Sequence, residues 1–147
     1  QATYTFKHAL IQDAAYQSLL RSTRQEHHQR IAQVLAQQFP ETVETQPELL
    51  AHHYTAAGCW ELAIGYWQRA GTHALQRSAN AEAAQHLTRG LHLVAHLPET
   101  PVRAQQELDL HLTLGIALVA TKGHAAPEVE HTYTRAWALC AQVGDTP

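Results

Sequence analysis

The chain has 147 residues, with 10 basic and 13 acidic side chains, a formal net charge of −3, 12 histidines, two cysteines and no methionine. A chain of that size buries one core or a short stack of helix pairs, so a single packed unit is expected. Neither charge sign forms a long block, which speaks against general nucleic-acid binding, and no run of eighteen apolar residues is available to cross a bilayer. Cys59 and Cys140 stand far apart without a zinc spacing, as expected of reduced thiols in a cytoplasmic protein, and no secretory signal precedes them. The first segment starts without an initiator methionine and in mid-element, which suggests a piece cut from a longer protein.

In chain order, Tyr4, Thr5 and Phe6 alternate as a brief strand. Residues 8–21 read as a helix that turns Leu10, Ile11, Ala14, Ala15, Leu19 and Leu20 inward. Thr23 and Glu26 have the spacing of a capping box and start a second helix, whose shared face is His28, Ile31, Leu35 and Phe39 and which Pro40 helps to end. The stretch ETVETQ is a polar connection. Thr45 and Glu48 repeat the capping signature, with Pro47 in the first turn of a third helix that runs to Gly58.

A fourth helix is expected from Trp60 to about Ser78, with Trp60, Ala63, Ile64, Trp67, Gly71, Ala74, Leu75 and Ser78 on one side. Asn80 is placed to cap a fifth, where Ala83, Ala84, Leu87, Leu91 and Val94 keep the same spacing until Pro98. Thr100 and Pro101 open a sixth, whose LTLGIALVA stretch should be deeply buried and which Lys122 and Gly123 close. Pro127 starts a seventh with Val129, Tyr133, Ala136, Trp137, Cys140 and Val143 as its buried stripe and Gly144 as its cap. The expected fold is therefore all-α, about seven helices after a short N-terminal strand.

Residues 54–70, YTAAGCWELAIGYWQRA, resemble the turn and second helix of a tetratricopeptide repeat, in which a small residue lets two helices touch, a glycine makes the turn and an aromatic fills the groove. The residues that carry repeat packing in this reading are Ala51, Tyr54, Gly58, Trp60, Ala63, Trp67, Ala70, Ala83, Leu87, Tyr133 and Ala136. The repeat is irregular. A regular unit has about 34 residues, whereas the small residues Ala70, Gly90 and Ala136 are spaced by 20 and then 46, so an antiparallel helix-hairpin solenoid of tetratricopeptide-like rather than regular form is implied.

A second resemblance covers FKHALIQDAAYQSLLRSTRQEHHQRIAQVL, through Phe6, His8, Leu10, Asp13, Tyr16, Leu19, Arg24, His28, Ile31, Ala32 and Leu35. It is similar to the end of the winged-helix region and the first linker helices of large bacterial signalling ATPases of the STAND class. Residues 47–145 resemble the helical-repeat region that follows in those proteins, many of which also carry an adenylate or guanylate cyclase domain or a transcription-activator domain. That resemblance implies two parts, a winged-helix tail with linker helices over 1–40 and a tetratricopeptide-like region over 47–147, packed as one unit. It implies no nucleotide or catalytic residue here, because no phosphate-binding loop, nucleophile elbow or metalloprotease motif occurs in the sequence. No cofactor is expected.

The function implied is a non-catalytic protein–protein interaction and regulatory scaffold, a sensor or coupling arm within a larger signal-transduction ATPase or cyclase. Its partner would be a protein, a peptide or an adjacent domain of the same chain, with no membrane or direct nucleic-acid contact. By the same resemblance, His52, His53, Gln76, Arg77 and His111 are nominated for the partner surface. The alternatives are a small-molecule or metal-sensing helical domain and a purely structural spacer that forms a homodimer. His92 and His96, four apart on the fifth helix, are the metal candidates, although two ligands without a third make a weak site. His8 and His28 are expected to hydrogen-bond between the first two helices, and Asp13 to accept a packing hydrogen bond.

Overall fold

The computed structural model describes residues 2–144. Among them the architecture is all-α: α1 (Ala2–Gln38), α2 (Pro40–Thr45), α3 (Pro47–Ala57), α4 (Trp60–Gln76), α5 (Asn80–Val94), α6 (Pro101–Lys122) and α7 (Pro127–Gly144). The number seven matches the expectation, but the N-terminal elements are distributed differently. The backbone over 4–6 is helical rather than a strand, and the two expected first helices are one continuous α1. The side chains of Tyr4 and Phe6 lie outside the described residues. Thr23 and Glu26 therefore sit inside a helix and cap nothing, since α-helix tolerates Thr in its interior at a cost of only tenths of a kcal/mol.

The described side chains of the first half of α1 are not buried. Leu10, Ile11, Tyr16, Leu19 and Leu20 are all exposed, as is every side chain described from residue 7 to 24, against the inward stripe expected there. Packing begins where α3 arrives, with Ala32 fully buried and Leu35 and Ala36 half-buried against the core. His8 lies on the same helix as His28 and bonds Gln12 at 3.4 Å, so it cannot bridge two helices, and Asp13 is exposed.

The polar connection ETVETQ forms most of the short α2, which buries Val43. Thr45 closes it, its hydroxyl donating to the Glu41 carbonyl at 2.8 Å, so the expected Thr45–Glu48 box is absent. Gln46 precedes α3 without a side-chain cap, and Pro47 opens the helix because its missing N–H would be unpaired there anyway. Gly58 ends α3 in the left-handed region, φ 75°, as a C-capping glycine should. Thr100 caps α6 by accepting from the Arg103 amide at 3.2 Å. Asn80 is not a cap; Ala79 holds that position and makes no side-chain bond. Helix α4 ends at Gln76 rather than Ser78, which lies exposed in the turn with φ 60°.

From α3 onward each helix packs on the next in sequence, and α4 also reaches α6. The largest fully buried side chains, Trp67, Leu50, Ile64, Leu87, Leu110 and Leu139, come from five successive helices. Each contributes roughly 1.5–3 kcal/mol of transfer free energy. Two glycines set how closely the helices approach. A methyl group on Gly71 would fall 2.5 Å from Leu87 Cγ of α5, and one on Gly115 would fall 2.5 Å from Tyr133 Cζ of α7.

Most of the expected packing set is buried: Ala51, Tyr54, Ala63, Trp67, Ala70, Ala83, Leu87 and Ala136. Trp60 is half-buried and stacks on His96 at 4.1 Å. Helix α7 departs from expectation in register. Its buried face is Val129, Thr132, Ala136 and Leu139, whereas Tyr133, Trp137 and Cys140 are exposed. Leu139 and Ala136 pack against Leu108 of α6, and Tyr133, though exposed, lies against Gly115.

Candidate functional site

Trp67 of α4 organises the densest group of polar and aromatic side chains. It is only 2% exposed, and its indole N–H donates to Thr55 Oγ1 of α3 at 3.0 Å. The Thr55 hydroxyl passes its own proton to the Ala51 carbonyl at 2.7 Å, so the buried polar chain is satisfied. Three further side chains surround the indole. His52 meets it edge-on at 4.8 Å, His86 of α5 stacks at 5.4 Å, and the Arg89 guanidinium lies 5.1 Å from the ring centre in cation–π geometry.

Arg89 Nη1 is 3.4 Å from His52 Nε2. A guanidinium only donates, so His52 presents a lone pair and is neutral in this arrangement. The electrostatics agree: burial first, then the Arg89 charge, hold the His52 pKa below that of a free imidazole, with His86 and His53 adding to the fall and Glu48 opposing it. His53, the next residue, points to α1 instead. Its Nδ1 is 3.0 Å from Nδ1 of His28, so one ring donates and the other accepts. Burial, then the His28 charge, push the His53 pKa down. This pair ties α1 to α3.

The five residues nominated for a partner surface lie in three separate places. His52 and Arg89 share an exposed patch over Trp67, and His53 is half-buried beside them. Gln76 and Arg77 are exposed at the far end of α4, where Arg77 pairs with Glu82 at 3.3 Å. His111 is buried between α6 and α7. Its Nε2 lies 3.8 Å from Glu107, which accepts from Arg135 Nε at 2.7 Å. Burial is the main cause of its lowered pKa, Glu107 pulls upward, and Arg135 and His131 push down. A residue held in that way serves the α6–α7 junction.

The metal candidates separate. Helix α5 ends at Val94, so His96 lies beyond it and stacks on Trp60, while His92 remains on the exposed helix face. Among the described residues no group of three or more His, Cys, Asp or Glu is arranged to hold a metal ion. No described helix is long and apolar enough to cross a membrane.

A second concavity, of about 500 Å³, lies between the start of α6 and the end of α7 and is lined by Thr100, Arg103, Glu107, Arg135 and Gln142. Both arginines there are already engaged, Arg103 with the Leu97 carbonyl at 2.8 Å and Arg135 with Glu107. Arg89 is exposed, lies against His52 and the Trp67 ring, and among the described residues pairs with no carboxylate. Sequence reasoning missed Arg89, because 37 residues separate it from His52 and only the α3–α4–α5 packing brings them together.

Over 133 residues the chain is 30% identical to an uncharacterized protein of Rhizobium meliloti (strain 1021). The match spans 90% of this chain. It spans only 13% of that protein, so the similarity is to a small part of a much longer polypeptide. No family model matches the chain, and no solved structure matches it significantly.

Proposed function

We propose that this chain is a non-catalytic interaction and coupling scaffold, built as a tetratricopeptide-like array over α3–α7, and that it works within a larger signalling protein of the STAND ATPase or cyclase type. The observation that carries the interaction reading is Arg89, an exposed arginine stacked over a buried indole and without a carboxylate partner among the described residues. Desolvating such a guanidinium against a partner's carboxylate forms a charge-assisted hydrogen bond, about twice as strong as a neutral one. His52 beside it, whose Nε2 accepts from Arg89, carries its proton on Nδ1 and supplies a second donor. The partner is therefore a protein segment that presents Asp, Glu or a terminal carboxylate, from an adjacent domain or another protein. The sequential packing of α3 to α7 gives the rigid base that such recognition requires. Similarity to part of a much longer protein supports the placement within a multidomain chain.

Nuclear magnetic resonance provides the test, with the Trp67 indole N–H as reporter and a set of acidic peptides as probes. Saturable shifts of that signal in the parent chain and their loss in Arg89→Glu support the reading. Peptide shifts that persist unchanged in Arg89→Glu, or none with any acidic peptide, overturn it.

A further inference from the structure

Two apolar surfaces remain unpartnered, and they sit at opposite ends of the chain of packed helices. The first is on α1, where Ile11, Ala15 and Leu19 follow one another at four-residue steps and are all exposed, Ile11 and Leu19 at 66% and 67%. Lys7 continues that stripe at the same four-residue step, and the only acid over residues 5–24, Asp13, lies on the opposite side of the helix.

The second surface is on the α6–α7 hairpin. Tyr133 rests on Gly115, whose neighbours Leu112 and Ile116 are exposed, and Trp137 follows Tyr133 by one turn at 81% exposure. Helical geometry puts these four on one side of the hairpin: in antiparallel helices the residues just clockwise of the contact line on each point the same way. The same turns carry Asp109 and Glu130, and no lysine or arginine occupies that side. Contiguous apolar surface of this kind marks an interaction site.

We propose that copies of this chain associate head to tail, the exposed half of α1 from one copy lying along the α6–α7 face of the next. The two surfaces are complementary in charge, with Lys7 in line with the α1 stripe and Asp109 and Glu130 on the α6–α7 side. They also match in length, since about 20 residues of α1 span roughly 30 Å and the 22 residues of α6 about 33 Å. A helix laid on that hairpin continues the pattern already present, in which each helix packs on its neighbour. The contact is heterologous, so it leaves a free surface at each end and does not stop at two copies unless a ring closes. It does not use Arg89, and the acidic-peptide reading stands or falls separately.

Sedimentation equilibrium tests it on the full chain with Leu19→Glu and Trp137→Glu, both on exposed side chains, with circular dichroism to show that each variant folds. The parent chain should gain mass with concentration beyond two copies, less so at high salt. Each variant alone should remain a single chain, because every copy has lost one of the two surfaces. An equimolar mixture of the two variants should then reach the mass of two chains and no more, since one intact α1 meets one intact α6–α7 face. A parent chain that stays single overturns the proposal. So does self-association of Leu19→Glu alone, which marks a symmetric α6–α7 contact, or of Trp137→Glu alone, which marks a symmetric α1 contact.

Discussion

Replacing Gly71 by alanine isolates the close approach of α4 and α5. In a helix interior Gly→Ala by itself stabilises by about 1 kcal/mol, because glycine loses more backbone freedom on folding. Gly65 on the same helix shows that effect alone: a methyl group there meets nothing within 4 Å. At Gly71 the methyl would sit 2.5 Å from Leu87 Cγ and 2.6 Å from Cδ2. Leu87 is fully buried and has no open side into which to rotate, so the helices must separate or the side chain must leave its rotamer. Overpacking of that kind costs about 1–3 kcal/mol. The propensity gain offsets part of this, which leaves Gly71→Ala roughly 0–2 kcal/mol less stable than the parent and Gly65→Ala about 1 kcal/mol more stable. The two variants should differ by about 3–10 °C in Tm. Urea and thermal unfolding followed by circular dichroism measure this directly. If Gly71→Ala is as stable as Gly65→Ala, α4 and α5 do not cross where Gly71 meets Leu87, and the packing described above is wrong.

Three further outcomes are expected. Ser78→Gly should stabilise by roughly 1 kcal/mol in urea unfolding, since Ser78 holds φ 60°, a conformation that penalises a Cβ more than glycine's extra unfolded freedom costs. Thr100→Ala should destabilise by about 1 kcal/mol through loss of the hydroxyl that accepts from the Arg103 amide, and Thr100→Asp should restore most of it. His52, His53 and His111 all have folded-state pKa values pushed below that of a free imidazole, so the unfolded chain binds protons first on acidification. Their contribution is complete above about pH 6.5 and is lost as the pH falls through the folded values. The Tm should therefore drop between pH 7 and pH 5, and less steeply in His53→Gln; a Tm that rises on acidification contradicts the shifts.

The middle and C-terminal helices were legible because their ends are written in backbone chemistry. Pro47, Gly58, the Thr100–Pro101 pair, Gly123 and Pro127 each fix a dihedral or a cap that a sequence displays directly. The N-terminal third was not, because Thr23 and Glu26 have the spacing of a cap yet also fit an uninterrupted helix, and no tertiary contact there forces a break. The α7 register misled for another reason. Tyr133 reaches α6 only at Gly115 and stays 41% exposed, Trp137 one turn on is 81% exposed, and the buried face runs through Val129, Thr132, Ala136 and Leu139, rotated by about one position from the stripe that the aromatics suggest. At the site, His52, His53 and His111 were visible as candidates, whereas the split of His52 toward Arg89 and His53 toward His28, and the burial of His111 beside Glu107 and Arg135, depended on tertiary packing.

Native-state hydrogen exchange, read residue by residue at low protein concentration, tests the arrangement of a packed array that offers an unpartnered helix. Amides of α4 and α5, buried on both sides by neighbours, should exchange last. Residues 7–24 of α1, whose side chains are all exposed, should exchange orders of magnitude faster, because a helix of that length is marginal in water on its own. Protection of 7–24 equal to that of α4 at every concentration would contradict it, since α1 would then be covered within a single copy and not available to any partner.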